Sequence, residues 1–384
     1  MSTTAAAGFE AAGVVAGLKS TGKPDVAVVV NRGPRNVAAG VFTSNRVKAA
    51  PVLWSQQVIA SEHAIRAVVL NSGGANACTG PDGFADTHHT AEFAAKALGL
   101  APIEVAVCST GLIGMRLPMD KLLPGVERAI QALSVEGGAD AAAAIMTTDS
   151  VPKTAVRQGS GYTIGGMAKG AGMLAPGLAT MLVVITTDAD LDAEPLDGAL
   201  RHATARSFDR IDSDGCMSTN DTVLVLANAA SGVTPSVTEF QALLSEVCAD
   251  LALQLIADAE GSSKDVRIHV SAAATESEAV DVARAISRSN LLKCAIHGED
   301  PNWGRVLSAI GTTAAAFEPD EIDVAINGVW VCRNGMAGDD RNLVDMSGRE
   351  VAITVSLRAG DAEATLWTND LTAMYVHENS AYSS

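Results

Sequence analysis

The chain of 384 residues is 48% hydrophobic and 18% charged, enough apolar sequence for a large interior and too little charge for general disorder. A net charge of −17 leaves no basic face for a nucleic-acid backbone, and six scattered cysteines without a C-x-x-C pair argue against a disulfide framework or a zinc ribbon. No uncharged apolar run reaches the roughly 18 residues that cross a bilayer, and the alanine-rich start carries Glu10 without a basic segment, so a cytoplasmic protein of one large or two intimate domains is expected.

Short apolar runs predict buried strands at 26–30, 67–70, 104–108, 181–185, 222–226, 266–270, 322–326 and 352–357. Helical periodicity marks 85–98, 121–133, 196–207, 238–257 and 276–287. Strands and helices interleave, which gives an α/β protein. Strict alternation fails after residue 310, where strand and turn dominate, and a second unit is expected from about 280 to the C-terminus.

Several polar segments punctuate these elements. The glycine-rich run 71–80 has neither P-loop nor dinucleotide spacing and reads as a loop lining a pocket. His88 and His89 have no partner at metal-ligand spacing, so no metal site is expected. Ser109-Thr110-Gly111 follows a strand, where a hydroxyl and a backbone N–H can face a developing oxyanion, or simply form a turn. Ser218-Thr219-Asn220-Asp221-Thr222 reads as a polar turn feeding a strand. The run 297–305 suits an active-site loop or a subunit contact, and the polar end 377–384 is expected to fray.

The richest stretch is 165–188. A glycine-rich half with Lys169 leads to the Pro176-Gly177 turn, and Thr180 then opens an apolar, β-branched run. Threonine is a good strand former and needs no other role there. Yet a hydroxyl after a kinked loop can attack the preceding carbonyl, that of Ala179, by an N-to-O shift. Hydrolysis of the ester would free an α-amine with an unperturbed pKa of about 7.7–8.0, a general base within reach of its own Oγ.

Taken together, Lys169-Gly170-x-Gly172-Met173-Leu174-x-Pro176-x-x-Ala179-Thr180-Met181-Leu182, Ser109-Thr110-Gly111, Met146-Thr147-Thr148-Asp149, Ser218–Thr222 and His297-Gly298-x-Asp300-Pro301-Asn302-Trp303-Gly304-Arg305 resemble the ornithine acetyltransferase (glutamate N-acetyltransferase) family of arginine biosynthesis. The resemblance runs from about Gly8 to Ser384 in order. It implies a layered α-β-β-α sandwich with a smaller C-terminal α/β subdomain. It also implies self-cleavage at Ala179–Thr180 into an α chain, 1–179, and a β chain, 180–384, with Thr180 as acetyl-accepting nucleophile. Thr110 and Gly111 match the oxyanion-hole pair; Lys169, Thr180, Glu260, Asn379, Ser384 and a threonine of the 146–149 motif, read here as Thr148, match substrate-binding positions.

The reaction implied is ping-pong transfer of acetyl from acetylornithine to glutamate. It needs no cofactor, admits acetyl-CoA as a further donor, and belongs to an α2β2 assembly. An N-terminal-nucleophile hydrolase or aminopeptidase with water as acceptor is the alternative. The chain departs from the family pattern at Gly74, Ala175, Leu178, Cys216-Met217 and the terminal Ser384, where threonine is frequent; a hydroxyl survives there.

Overall fold

The computed structural model describes residues 2–62, 64–175 and 181–381. Ala179, Thr180 and Ser384 therefore lie outside the described residues.

Three sheets organise the chain. The first has the order β1 (Phe9–Val14), β2 (Val26–Asn31), β4 (Ala67–Ser72) and β5 (Val105–Thr110). The second runs β3 (Val37–Phe42), β9 (Thr222–Ala227), β8 (Leu182–Thr187), β7 (Thr163–Lys169) and β6 (Lys153–Gln158). The third runs β13 (Met336–Ala337), β12 (Val329–Arg333), β11 (Asp323–Ile326), β14 (Glu350–Ser356), β10 (Asp265–Ala273) and β15 (Ala362–Asn369).

The first two sheets pack face to face. Met167, Leu182, Val184, Leu224 and Leu226 of the second sheet join the core built on the first, with α1 (Ala50–Glu62), α2 (Gly80–Leu98), α3 (Met119–Gln131) and α4 (Gly138–Ala144). The alternate residues Ile164, Ala168, Val183, Ile185, Val223 and Val225 face α5 (Ala193–Ala205) and α6 (Val237–Ala257). The result is the expected α-β-β-α sandwich. It explains why β2, β4, β5, β8 and β9 are mostly apolar, with polar residues confined to their ends: every residue in them is buried, because both sheet faces are covered. By length and composition α6 could cross a membrane, but Leu244, Val247, Leu251 and Leu255 pack it onto the second sheet.

The third sheet has its own core with α7 (Glu276–Ser287), α8 (Asn290–His297) and α9 (Trp303–Ile310). This unit begins at β10, ahead of residue 280. The last described element is α10 (Ala373–Ala381), so 377–381 is helical where fraying was expected. The helix is tied down at its start: Thr372 Oγ1 donates to the Gly261 carbonyl at 2.6 Å and accepts from the Tyr375 amide at 2.9 Å.

Part of the glycine-rich run is strand rather than loop. Gly165 and Gly166 lie inside β7, where neighbours crowd the space a side chain would take. A Cβ on Gly165 would sit 2.2 Å from the Ser2 carbonyl oxygen, and one on Gly166 would sit 3.1 Å from Leu251.

Candidate active site

The strand ends converge on one edge of the sandwich. β8 and β9 start side by side in parallel, Leu182 opposite Thr222, while antiparallel β7 brings Lys169 opposite Leu182. β5 of the facing sheet ends at Thr110, and the turn after α6 carries Glu260. Between them lies a cavity of about 270 Å³ lined by Thr110, Gly111, Thr148, Lys169, Glu260 and Asn379. Every predicted site residue within the described chain is thus brought into one space. Thr147 lines it too.

Thr110 Oγ1 accepts from Lys169 Nζ at 3.1 Å, and both side chains are buried. Gly111 has φ of +129° and lies against the 73–74 backbone, so a Cβ there would come 2.5 Å from the Gly74 amide nitrogen. Only glycine satisfies both demands. Gly74 in turn donates its amide to the Thr110 carbonyl at 3.0 Å. At Gly74 itself a Cβ would come 2.6 Å from the Leu117 side chain, which would have to move to admit a larger residue.

On the opposite wall Glu260 accepts from Thr148 Oγ1 at 2.7 Å, while its amide donates to Ala171 at 2.9 Å. Its carboxylate rests on Gly172, where a Cβ would sit 2.6 Å from Oε2. Thr147, on the same wall, donates its amide to Asp149 at 2.9 Å. Asn379 reaches the cavity from α10.

Beneath this wall is a buried charge network. Asp149 accepts from Lys153 Nζ at 2.6 Å and from the Gly170 amide at 2.7 Å, and Lys153 also donates to Asp258. Burial pushes the Asp149 carboxyl up, but the Lys169 and Lys153 charges and these hydrogen bonds outweigh it and hold the group at about 2. Lys169 is fully buried, and burial draws its ammonium down against the upward pull of Asp149. Tyr375, beside Glu260, is pushed up to about 12, first by burial and then by Asp214 and Glu260.

Sequence reading gave no role to Lys153, a lone lysine at a strand start, and took 218–222 only as a turn. Asn220 Nδ2 in fact donates to the carbonyls of Ala75 at 2.6 Å and Ser109 at 2.8 Å, joining β9 to β5 beside Thr110. Ser218 lines the cavity, but neither Cys216 nor Met217 does. Among the described residues no three His, Cys, Asp or Glu side chains could hold a metal, and His88 and His89 lie on the surface of α2 near Glu92. The 297–305 segment stays outside the cavity and organises the third unit instead. There His297 contacts Asp370 at 3.0 Å and Asn302 caps α9.

The ArgJ family model matches residues 10–384. The arginine biosynthesis bifunctional protein ArgJ of Streptomyces coelicolor is 71% identical over 384 residues, covering all of both chains. That of Thermobifida fusca is 63% identical, again over the full length of both. Among solved structures, ornithine acetyltransferase from Mycobacterium tuberculosis, complexed with ornithine, is 59% identical over 47% of this chain and 96% of that one, with a TM-score of 0.45.

Proposed function

The chain belongs to the ArgJ family, and from that premise we propose that it moves the acetyl group of N2-acetyl-L-ornithine to L-glutamate in arginine biosynthesis. The acetyl passes through an ester on Thr180, after the chain cuts itself between Ala179 and Thr180. Thr180 Oγ attacks the acetyl carbonyl while the α-amine of the same residue takes the hydroxyl proton. The carbonyl π electrons move onto oxygen, where the Thr110 hydroxyl and Gly111 amide stabilise the charge. Collapse breaks the C–N bond, and the amine returns the proton to departing ornithine. The glutamate amine then repeats the attack on the ester.

Around that centre, Glu260 suits the cationic end of ornithine and Lys169 a substrate carboxylate. Thr148 orients Glu260, Asn379 approaches from α10, and the family pattern adds Ser384 as a substrate contact. The observation that carries the reading is the gathering of Thr110, Gly111, Lys169 and Glu260 around one cavity. Acetyl-CoA is proposed as a further donor, two cleaved protomers as an α2β2 assembly, and the cytoplasm as its compartment. The last is supported by six unpaired cysteines.

Intact mass under denaturing conditions is expected to give fragments 1–179 and 180–384, and Thr180→Ala a whole, inactive chain. A single full-length wild-type species after prolonged incubation, or acetyl transfer by T180A, would overturn the reading. Acetate release from acetylornithine that ignores added glutamate would identify the N-terminal-nucleophile hydrolase instead.

A further inference from the structure

Residue 181 is held more firmly than its place at the margin of a strand requires. The regular β8 ladder opens at Leu182. One residue earlier, the Met181 amide donates to Asp221 Oδ1 at 3.0 Å, and the Met181 carbonyl accepts from the Thr222 amide at 3.1 Å. The Met181 side chain is itself buried in the core between the second sheet and its helices. Both peptide groups and the side chain are therefore fixed.

Asp221 is fully buried, with the Thr43 and Ser218 side chains beside its carboxyl. Burial raises its carboxyl well above the ordinary range, against the downward pull of the Met181 amide and the Lys169 charge. Thr43 anchors the same residue from the far side, its amide donating to the Asp221 carbonyl at 2.9 Å. A carboxyl placed this way does what a backbone acceptor would do if the ladder ran one residue further.

The consequence concerns the residue before Met181. A chain terminus frays unless it is tied down. A nucleophile on a terminal residue is therefore only as well placed as the peptide that follows it. We infer that Asp221 is a positioning residue for the acyl-transfer reaction, holding residue 180 in place through the Met181 amide, first for self-cleavage and then for acetyl transfer. The inference rests on Thr180 being the nucleophile.

The test compares Asp221→Ala and Asp221→Asn, each checked for folding by its circular-dichroism melt. Asp221→Ser replaces Ala if that variant does not fold. D221A is expected to slow self-cleavage and, per cleaved chain, to lower kcat about 100-fold, the scale set by a misplacement of about 1 Å. KM for acetylornithine should stay close to wild type, because no proposed substrate contact is removed. Asn keeps a carbonyl acceptor of the same reach, so D221N should recover most of both losses.

Cleavage and kcat in D221A equal to wild type would overturn the inference. So would a D221N variant as impaired as D221A, or a loss in D221A that falls on KM rather than kcat. T180A separates the two readings. If T180A is still cut, the nucleophile assignment falls; if wild type and D221A are cut alike and T180A is not, only the positioning role falls.

Discussion

Lys169 must keep a positive charge where burial works against it. Its amine sits in the cavity wall on the Thr110 hydroxyl, with Asp149 as the main charge that supports ionisation. Between its lowered pKa and the ordinary lysine value, the unfolded chain binds more protons than the folded one. Folding stability contributed by this group therefore rises with pH across that window, while pairing with a substrate carboxylate weakens. KM for acetylornithine should climb with pH before the ordinary lysine range is reached, and Lys169→Met should remove the climb. A KM flat from pH 7 to 10 in wild type would take Lys169 out of carboxylate binding. Gly172 gives a second residue-scale expectation. In Gly172→Ala the new methyl must displace the Glu260 carboxylate it would otherwise overlap. KM for acetylornithine should then rise about tenfold or more through lost alignment, with self-cleavage unaffected. Steady-state kinetics beside a cleavage gel would decide it.

The helix that reaches the site from the C-terminal side lies on the surface. No residue of α10 is buried, yet the helix contributes Asn379 to the cavity and is seated by Thr372 on the Gly261 carbonyl. Gly261 has φ of +62°, and a Cβ there would come 2.3 Å from the Tyr375 amide nitrogen. Gly261→Ala should cost about 1–2 kcal/mol through the left-handed backbone alone and push α10 away. The expected pair of effects is a lower melting temperature and a higher KM; a raised melting temperature or an unchanged KM would contradict the coupling. This helix was illegible in sequence, since 377–384 looks like any polar tail. Buried strands such as β2, β8 and β9 were legible because layers on both faces favour continuous apolar runs. β7 was not, since the close approach of Ser2 requires a glycine at 165 and a glycine-rich run reads as loop. For the site, Thr110, Lys169 and Glu260 came from motif resemblance. The Lys153–Asp258 pair and the Asn220 bridge depend on contacts between distant segments that no local pattern encodes.

At the scale of the whole molecule, the proposed cut falls between strands that remain hydrogen-bonded neighbours. β7 precedes residue 180 and β8 follows it, and they pair from Ile164 with Thr187 to Lys169 with Leu182. The second sheet therefore draws strands from both fragments, as do the cavity walls: Thr110, Thr148 and Lys169 on one side of the cut, Glu260 and Asn379 on the other. A precursor folds as one molecule, whereas the processed enzyme, once denatured, must reassemble from two. Recovery of activity after denaturant is removed should fall on dilution for cleaved enzyme. Recovery of native circular dichroism by uncut T180A should not depend on concentration. Cutting thus converts a reversible folding problem into a second-order encounter, and the enzyme's persistence in dilute solution then depends on how slowly the two halves separate.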